Sequence, residues 1–555
     1  MTPESGYRRA DAGSVCADEP GATRAWRSTI AAAALLAPAL AVVVGAYAFF
    51  ITAGFSAKPP PSQRYYNMLA DAFLAKQLHL QQLPERALLE QADPYDYKTS
   101  HRLWRLWDAS LYDGKYYFYW GPLPALVIAG VKLAAGPETI VTDRTVVLVC
   151  NIGRLLVGAV LFVLVRRWMF PWLPVWTPAA AVLVFGLANP YLYELGRPGI
   201  YEAAIACAQL FLLAGLLAAF VATHGCRNRR RELLLVATAG FCWAAALACR
   251  VSLLFAVAAL VPLTGILVSL REPWSFRRFS AHLAALAAPI ALVLLSLGAY
   301  NYARYGSFTD FGTGYMLTGQ RYAPRMSMVL PNLEAYVFRR FDVTCRFPYV
   351  STPFFARHLT PAWVRPDSGY IPKEPLVGLL FGIPGIVFAV SAVVRATTGF
   401  ARWRSRAVAH ETQTRVEALS TACLVGGAAV IVGFAGLPTL GVWFSSMRYL
   451  SDVTSAALIL AIVGFWTCLP DRNSRTSRCR ARSVALLGAT FATYTIVLSV
   501  LLGFQGGYFR VIEKRNPALH EKLQSALSFC DAESVPDRPI RKGHDGHGGG
   551  ATNPR

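Results

Sequence analysis

The chain has 555 residues, of which 55% are hydrophobic and only 15% are charged, and its net charge is +22. Soluble domains usually contain about 25% charged residues, so this composition argues against a string of soluble domains. Most of the excess charge is arginine in short segments between apolar blocks, a pattern that orients membrane proteins and disfavours nucleic-acid binding.

Apolar blocks of about 20 residues, the length needed to cross a bilayer, recur along the chain. The first, at 29–51, is too long for a signal peptide, so we predict an anchor preceded by a cytoplasmic tail at 1–28. Further spans are predicted at 145–165, 174–190, 201–223, 233–249, 251–270, 281–302, 375–394, 418–436, 449–469 and 484–504. The predicted fold class is an all-α integral membrane protein with about eleven transmembrane helices, occupying 29–504.

One apolar block decides the topology. Pro122 to Ala135 is short for a span and contains Lys132, so we predict that it lies on or dips into the membrane without crossing. The arginine clusters at 166–167, 227–231, 271–278, 395–406 and 472–482 then all fall inside, whereas a crossing would place all of them outside. The positive-inside rule favours the first arrangement.

This topology predicts two extracytoplasmic loops with interfacial helices, at 52–119 and 303–374, and a partly disordered extracytoplasmic tail at 505–555. The predicted location is a bacterial inner membrane, with the N-terminus in the cytoplasm. Cys345 and Cys530 fall on the outer side, where they can pair. The histidines near the end of the tail could bind a metal loosely, but a disordered polar tail is the favoured interpretation, and no metal site is assigned.

The first loop combines carboxylates with aromatic rings, which suits carbohydrate binding because rings stack on sugars and carboxylates accept bonds from hydroxyls. A carboxylate can also take the proton of an attacking hydroxyl. The candidate bases are Asp71, Asp96 and Asp108, and the candidate sugar or acceptor contacts are Trp107, Tyr112, Tyr117 and Glu202. The alternative is that the aromatic residues only anchor amphipathic helices at the headgroup level.

A few ionisable residues lie at the outer ends of predicted spans. They are Glu202, Arg250, Arg448 and Asp452. Snorkelling explains such positions without a function, but their concentration at one leaflet favours a shared polar cavity. Arg448, Arg250 and the adjacent Tyr449 are therefore predicted to bind a lipid phosphate.

Several segments resemble the GT-C superfamily of membrane glycosyltransferases, in particular the protein mannosyltransferase-like and aminoarabinose-transferase-like members. They are Arg64 to Ala75, Tyr119 to Leu126, Asn301 to Ser307 and Arg448 to Asp452. The resemblance implies a polyprenyl-phosphate sugar as donor and places Arg448 against its phosphate. Some of these relatives use a divalent metal, so a metal remains a possible cofactor, although no ligand cluster in the sequence demands one.

The sequence departs from this group at one point. Its members usually carry an acid directly after the first span, whereas here the stretch from Lys58 to Gln63 has none. Either Asp71, Asp96 or Asp108 takes that role, or the chain is not a transferase of this kind.

Three functions follow as hypotheses. The favoured one is transfer of a sugar from a polyprenyl-phosphate donor to a lipid or glycan acceptor on the extracytoplasmic face. The alternatives are a non-catalytic lipid-binding relative, which the missing acid supports, and a transporter or flippase. The sequence shows no clear internal repeat and few acids at helix centres, which disfavours transport. It has no glycine-rich nucleotide loop, which disfavours a nucleotide-sugar donor.

Overall fold

The computed structural model describes residues 20–56, 63–96, 103–196, 198–225, 228–317, 324–355, 357–361, 363–364, 370–405, 412–470, 478–506 and 511–530. Over these residues the chain is a helical bundle with two short antiparallel hairpins. In the first, strand β1 (Ser110–Tyr112) pairs with β2 (Lys115–Tyr117), and in the second β3 (Asp342–Val343) pairs with β4 (Val350–Ser351).

The helices are α1 Pro20–Ile51, α2 Tyr65–Leu74, α3 Arg86–Leu89, α4 Leu123–Ala135, α5 Asp143–Met169, α6 Thr177–Leu187, α7 Tyr191–Leu195, α8 Ile200–His224, α9 Arg229–Cys249, α10 Leu254–Ser269, α11 Phe276–Tyr305, α12 Val329–Phe338, α13 Leu379–Gly382, α14 Ala389–Ser405, α15 Thr412–Phe434, α16 Leu437–Leu440, α17 Met447–Cys468, α18 Arg478–Gln505, α19 Val511–Arg515 and α20 Pro517–Leu527. Short 3₁₀ turns at Val251–Leu253 and Pro384–Phe388 lead into α10 and α14.

Ten helical segments of the described chain are long and apolar enough to cross a membrane, which confirms the predicted fold class. They are Ala34–Ile51, Asp143–Met169, Ile200–His224, Arg229–Cys249, Val251–Ser269, Phe276–Tyr305, Pro384–Ser405, Thr414–Leu440, Met447–Cys468 and Cys479–Gln505. The span expected at 375–394 begins later, where Pro384 starts a 3₁₀ turn, and it ends later, at Ser405. At its far end Arg395 pairs with Glu417 at 2.8 Å, so the charged residue can remain within the helix.

The span expected at 174–190 is the exception in length. Its helix, α6, has 11 residues and ends before Ala188, whose backbone is extended with a φ of −70° and a ψ of 151°. The segment nevertheless crosses the bundle. Helices α5 and α8 run parallel, because Cys150 contacts Cys207 near their starts and Trp168 stacks on His224 at 3.9 Å near their ends. Because α5 ends at one end of the bundle and α8 starts at the other, the residues between them must cross back.

The segment from 122 to 135 does not cross the bundle, as its length predicted. The Asp143 N–H, at the start of α5, donates to the Gln63 carbonyl at 3.0 Å, so the chain leaves α1 and enters α5 at the same end of the bundle. Between them α4 lies along α2, where Lys132 pairs with Asp71 at 2.7 Å.

The two long loops and the last helices meet at this end of the bundle. The Ile200 N–H donates to Gln63 Oε1 at 3.2 Å, and Asn516 Nδ2 donates to the Ala53 carbonyl at 3.2 Å. We call it the loop end. The described members of the arginine clusters lie at the opposite end, where Arg271 binds the Ala222 carbonyl at 3.2 Å. The described members of the clusters therefore share one side, and the assignment of that side to the cytoplasm stays a prediction.

The last described residues close over the loop end. Cys345 and Cys530 form a disulfide, which confirms the predicted pair. Around it, Phe347 accepts a bond from Gln524 at 3.2 Å and donates one to Ser528 Oγ at 3.1 Å. The segment 511–530 thus joins the second loop to the end of α1 and holds the loops over the bundle.

Candidate active site

A cavity of about 980 Å³ opens at the loop end. The ends of helices α9, α10, α11 and α17 form one part of its wall, and the two long loops form the rest. Its polar and aromatic lining consists of Trp107, Asp108, Tyr119, Trp120, Tyr201, Arg250, Ser252, Phe255, Tyr300, Asn301, Arg304, Thr309, Asp310, Phe311, Thr313, Lys373, Glu374, Thr439, Trp443, Phe444, Arg448 and Tyr449.

The turn that leads into β1 places Asp108 in this wall. Asp108 has a positive φ of 57°, which is unfavourable for most residues with a side chain, although aspartate tolerates it better than most. The surrounding structure enforces the turn. The Trp107 carbonyl accepts a bond from Tyr65 Oη at 2.8 Å, and Ser110 Oγ donates to the Gly312 carbonyl at 2.7 Å. Strain that is held by contacts on both sides is typical of a residue aimed at a functional site.

The Asp108 carboxylate ends a chain of phenols. Tyr201 Oη donates to Asp108 Oδ1 at 3.0 Å, and Tyr119 Oη lies 2.9 Å from Tyr201 Oη. Because the single proton of Tyr201 goes to Asp108, Tyr119 donates to Tyr201. Burial, together with the neighbouring Tyr201 and Asp108, raises the pKa of Tyr119 well above its ordinary value, so Tyr119 remains a neutral donor.

Three aromatic rings make a continuous surface beside this carboxylate. The ring centroids of Tyr119 and Trp120 are 3.8 Å apart, and those of Trp120 and Tyr201 are 4.2 Å apart. A carboxylate next to such a surface is the arrangement that the first loop was expected to provide for a sugar. Tyr201 comes from the start of α8, so the surface joins the first loop to the helical bundle.

Arg448 lies on the other side of Tyr201. Its guanidinium carbon is 4.1 Å from the centre of the Tyr201 ring, and Nη2 is 3.0 Å from Glu374 Oε1. Its Nε is buried and has no hydrogen-bond partner among the described residues. A buried arginine with one nitrogen unsatisfied can accommodate an anion. Tyr201 thus contacts Asp108 through its hydroxyl and Arg448 through its ring.

Two further arginines in the wall are occupied by protein groups. Arg250 donates from Nε and Nη2 to Asp452 Oδ2, at 3.1 and 2.8 Å. Arg304 donates to the Phe118 carbonyl and, at 2.6 Å, to Asn301 Oδ1. Both side chains shape the cavity by fixing its walls.

The structure brings half of the predicted site residues together. Those that line the cavity are Trp107, Asp108, Arg250, Arg448 and Tyr449. Those that do not are Asp71, Asp96, Tyr112, Tyr117 and Glu202. Asp71 is engaged by Lys132 and accepts a bond from Asn67 at 2.9 Å. Asp96 ends a turn, in which its N–H donates to the Asp93 carbonyl at 3.3 Å.

The remaining three residues do not line the cavity but contact residues close to it. Tyr112 and Tyr117 pack their rings on Tyr305, with centroids 5.4 and 5.5 Å apart. Glu202 is 4% exposed and caps α8 by accepting the Gly199 N–H at 3.1 Å. The acid-free stretch after the first span lies outside the described residues except for Gln63.

Other lining residues were not assigned to the site from the sequence. Tyr119 and Trp120 stand in a segment that carried the family resemblance, and Tyr201 directly precedes Glu202. Lys373 and Glu374 end the second loop, and no local pattern sets them apart. Among the described residues, no group of three or more His, Cys, Asp or Glu side chains is placed to hold a metal ion.

No family model and no curated protein matches the chain. Solved structures of an oligosaccharyltransferase from Archaeoglobus fulgidus are similar to it. One, the enzyme AglB with an inhibitory peptide and a dolichol-phosphate, has a TM-score of 0.40 and 12% identity, and covers 84% of this chain. Another, in the apo form, has a TM-score of 0.41 and 12% identity, and covers 90% of this chain. A third, tethered to an acceptor peptide, has a TM-score of 0.41.

The chain spans 55–58% of the length of these proteins. At such TM-scores the similarity concerns the coarse arrangement of the helices.

Proposed function

We propose that this protein is a membrane glycosyltransferase that moves a sugar from a polyprenyl-phosphate donor to a lipid or glycan acceptor on the extracytoplasmic face. The observation that carries the proposal is the meeting of Asp108 and Arg448 on Tyr201 inside one cavity. One is a carboxylate suited to accept a proton, and the other is a buried guanidinium suited to hold a phosphate.

The chemistry needs few groups beyond these. The acceptor hydroxyl oxygen attacks the anomeric carbon, and its proton passes to the Asp108 carboxylate. The bond between the anomeric carbon and the phosphate oxygen breaks, and its electron pair stays on the phosphate. Arg448 stabilises the charge that develops there, while the Tyr119, Trp120 and Tyr201 rings orient the sugar between the two groups.

The apolar part of the wall supports a lipid-linked donor. Leu254 and Phe255, at the start of α10, and Leu297, on α11, line the cavity. Phe255 is also 54% exposed on the outside of the bundle, so this wall continues onto a surface suited to a lipid chain. A soluble nucleotide sugar has no lipid chain to contact such a wall.

Two independent features support placing the loop end outside the cytoplasm. The disulfide between Cys345 and Cys530 belongs to an oxidising compartment. The arginine clusters lie at the other end, as the positive-inside rule requires of the cytoplasmic side. Both favour an inner-membrane protein with its N-terminus in the cytoplasm.

The proposal is tested by native mass spectrometry of the gently purified protein, which detects lipids that remain bound. We expect a polyprenyl phosphate or its glycosylated form on the wild type and its loss in Arg448→Ala. Arg340→Ala, which removes an exposed arginine from the second loop, is the matched control and should retain the lipid. Bulk phospholipid alone, unchanged in Arg448→Ala, would overturn the donor site and favour a transporter or a non-catalytic protein.

A further inference from the structure

The charges around Arg448 decide which phosphate the cavity accepts, given the proposed function. Among the described residues, four cationic side chains line the cavity. One of them, Arg304, is hydrogen-bonded to three protein groups. Its three nitrogens donate to the Phe118 carbonyl, to Asn301 Oδ1 and to the Tyr300 carbonyl. Three of the five N–H donors of Arg304 therefore go to protein groups and hold its guanidinium against the wall.

Arg250 is also bound by a protein group. Its Nε and Nη2 both bind Asp452, whose side chain is fully buried, so the pair is neutral as a unit. Arg448 is paired with a carboxylate through Nη2 alone, and its buried Nε has no hydrogen-bond partner among the described residues. Lys373 lies with its Nζ 5.4 Å from the centre of the Trp443 ring.

A carboxylate is fixed directly beside Arg448. Glu374 accepts from Arg448 Nη2 at 3.0 Å and, through its second oxygen, from the Ser446 hydroxyl. The backbone around it is anchored on both sides. The Ile371 N–H donates to the Trp443 carbonyl at 2.9 Å, and the Met447 N–H donates to the Pro375 carbonyl at 3.2 Å. These bonds fix the backbone of Glu374 at the junction between the second loop and α17, within reach of Arg448.

We propose that Glu374 is a specificity-determining residue, which limits the phosphate at Arg448 to a single negative charge. A sugar phosphodiester carries one charge, whereas a phosphomonoester carries about 1.5 to 2 at neutral pH. Each additional charge repels the fixed carboxylate in a site largely screened from water. The cavity thus takes a lipid monophosphodiester as donor and discriminates against a lipid diphosphate.

The same repulsion acts on the product. Transfer of the sugar converts the phosphodiester into a phosphomonoester, which gains negative charge while it still lies beside Glu374. The leaving lipid phosphate is therefore bound less tightly than the donor, and Glu374 favours its release. Arg448 holds the donor, and Glu374 sets how many charges the bound group can carry.

The experiment measures the affinity of the purified protein for three probes by quenching of tryptophan fluorescence. The probes are farnesyl methyl phosphate, farnesyl phosphate and farnesyl diphosphate, which share a lipid chain and rise in charge. The wild type should bind the methyl phosphodiester most tightly and the diphosphate most weakly. Glu374→Gln keeps the size of the side chain and removes its charge. It should tighten the binding of farnesyl phosphate by about tenfold and leave the phosphodiester within about threefold.

Glu334→Gln is the matched control, since it removes a carboxylate from α12 in the same loop without touching the cavity. It should leave the order of the three affinities unchanged. The inference is overturned if the wild type binds the diphosphate most tightly, or if Glu374→Gln weakens all three probes equally, because Glu374 would then only position Arg448. In both cases a lipid-phosphate site remains. Binding of none of the probes to the wild type would instead overturn the proposed function, and this inference with it.

Discussion

Two aspartates of the first loop look alike in the sequence and differ completely in the folded protein. Asp71 lies on α2, and Asp108 lies at the start of the first hairpin. Both are surrounded by aromatic residues within a loop that sequence analysis assigns to the outer surface. Asp71 is neutralised by Lys132 at 2.7 Å, whereas Asp108 accepts a hydrogen bond from the Tyr201 hydroxyl at 3.0 Å.

The difference comes from helices that are distant in sequence. Lys132 is brought to Asp71 by the packing of α4 along α2, and its side chain is only 3% exposed. Tyr201 is brought to Asp108 by α8, from 93 residues further along the chain. A carboxylate paired with a buried cation stabilises structure, and a carboxylate that accepts a bond from a tyrosine hydroxyl in a cavity can act as a base. The partner, more than the acid, decides the role.

The largest expected effect tests this division directly. Asp108→Asn should lower sugar transfer by about a thousandfold, because the loss of a general base costs two to four orders of magnitude. Asp71→Asn should change the rate per folded molecule by less than about threefold. The rates are measured in membranes supplied with polyprenyl-phosphate hexoses and pentoses labelled in the sugar, by counting the label that leaves the donor lipid. A thousandfold loss in Asp71→Asn with full activity in Asp108→Asn would reverse the assignment.

The second effect concerns stability. Asp71→Asn leaves the buried Lys132 ammonium without its carboxylate, which should lower the free energy of unfolding by about 2 kcal/mol, discounted because Asp71 is partly exposed. The double variant Asp71→Asn with Lys132→Met removes both charges and should recover most of that loss. Thermal unfolding in detergent measures both. If the double variant were as unstable as the single one, the ion pair would not be the cause.

The same comparison shows how far the sequence could be interpreted. Spans such as 201–223 and 281–302 were predicted within a few residues because their length and hydrophobicity are local properties. The short crossing at Thr177–Leu187 was predicted as a full span, since apolar composition does not show where a helix is interrupted. Arginine parity placed the loops correctly at a common end because it depends on charge counts alone.

The site could be predicted only in part. Asp108 was a candidate as a carboxylate among the aromatic residues of the first loop, and Arg448 and Arg250 were candidates as ionisable residues at the outer ends of spans. Nothing local separates Asp108 from Asp71, since Lys132 and Tyr201 reach them through tertiary packing. Glu374 is equally inconspicuous, because it acquires its role only where the second loop meets Arg448 and Ser446.

The smallest expected effect separates the two contacts of Tyr201. Tyr201→Phe keeps the ring under Arg448 and removes the hydroxyl that holds Asp108. It should lower sugar transfer by about tenfold, the cost of losing one hydrogen bond to a charged group, and leave donor binding unchanged. Tyr201→Leu also removes the ring, so it should weaken donor binding as well. The two variants are compared by the rate of label transfer at saturating donor and by the donor concentration that gives half of that rate. Equal losses of donor binding in both would mean that the hydroxyl acts through Arg448, and the separation of base from phosphate clamp on Tyr201 would fail.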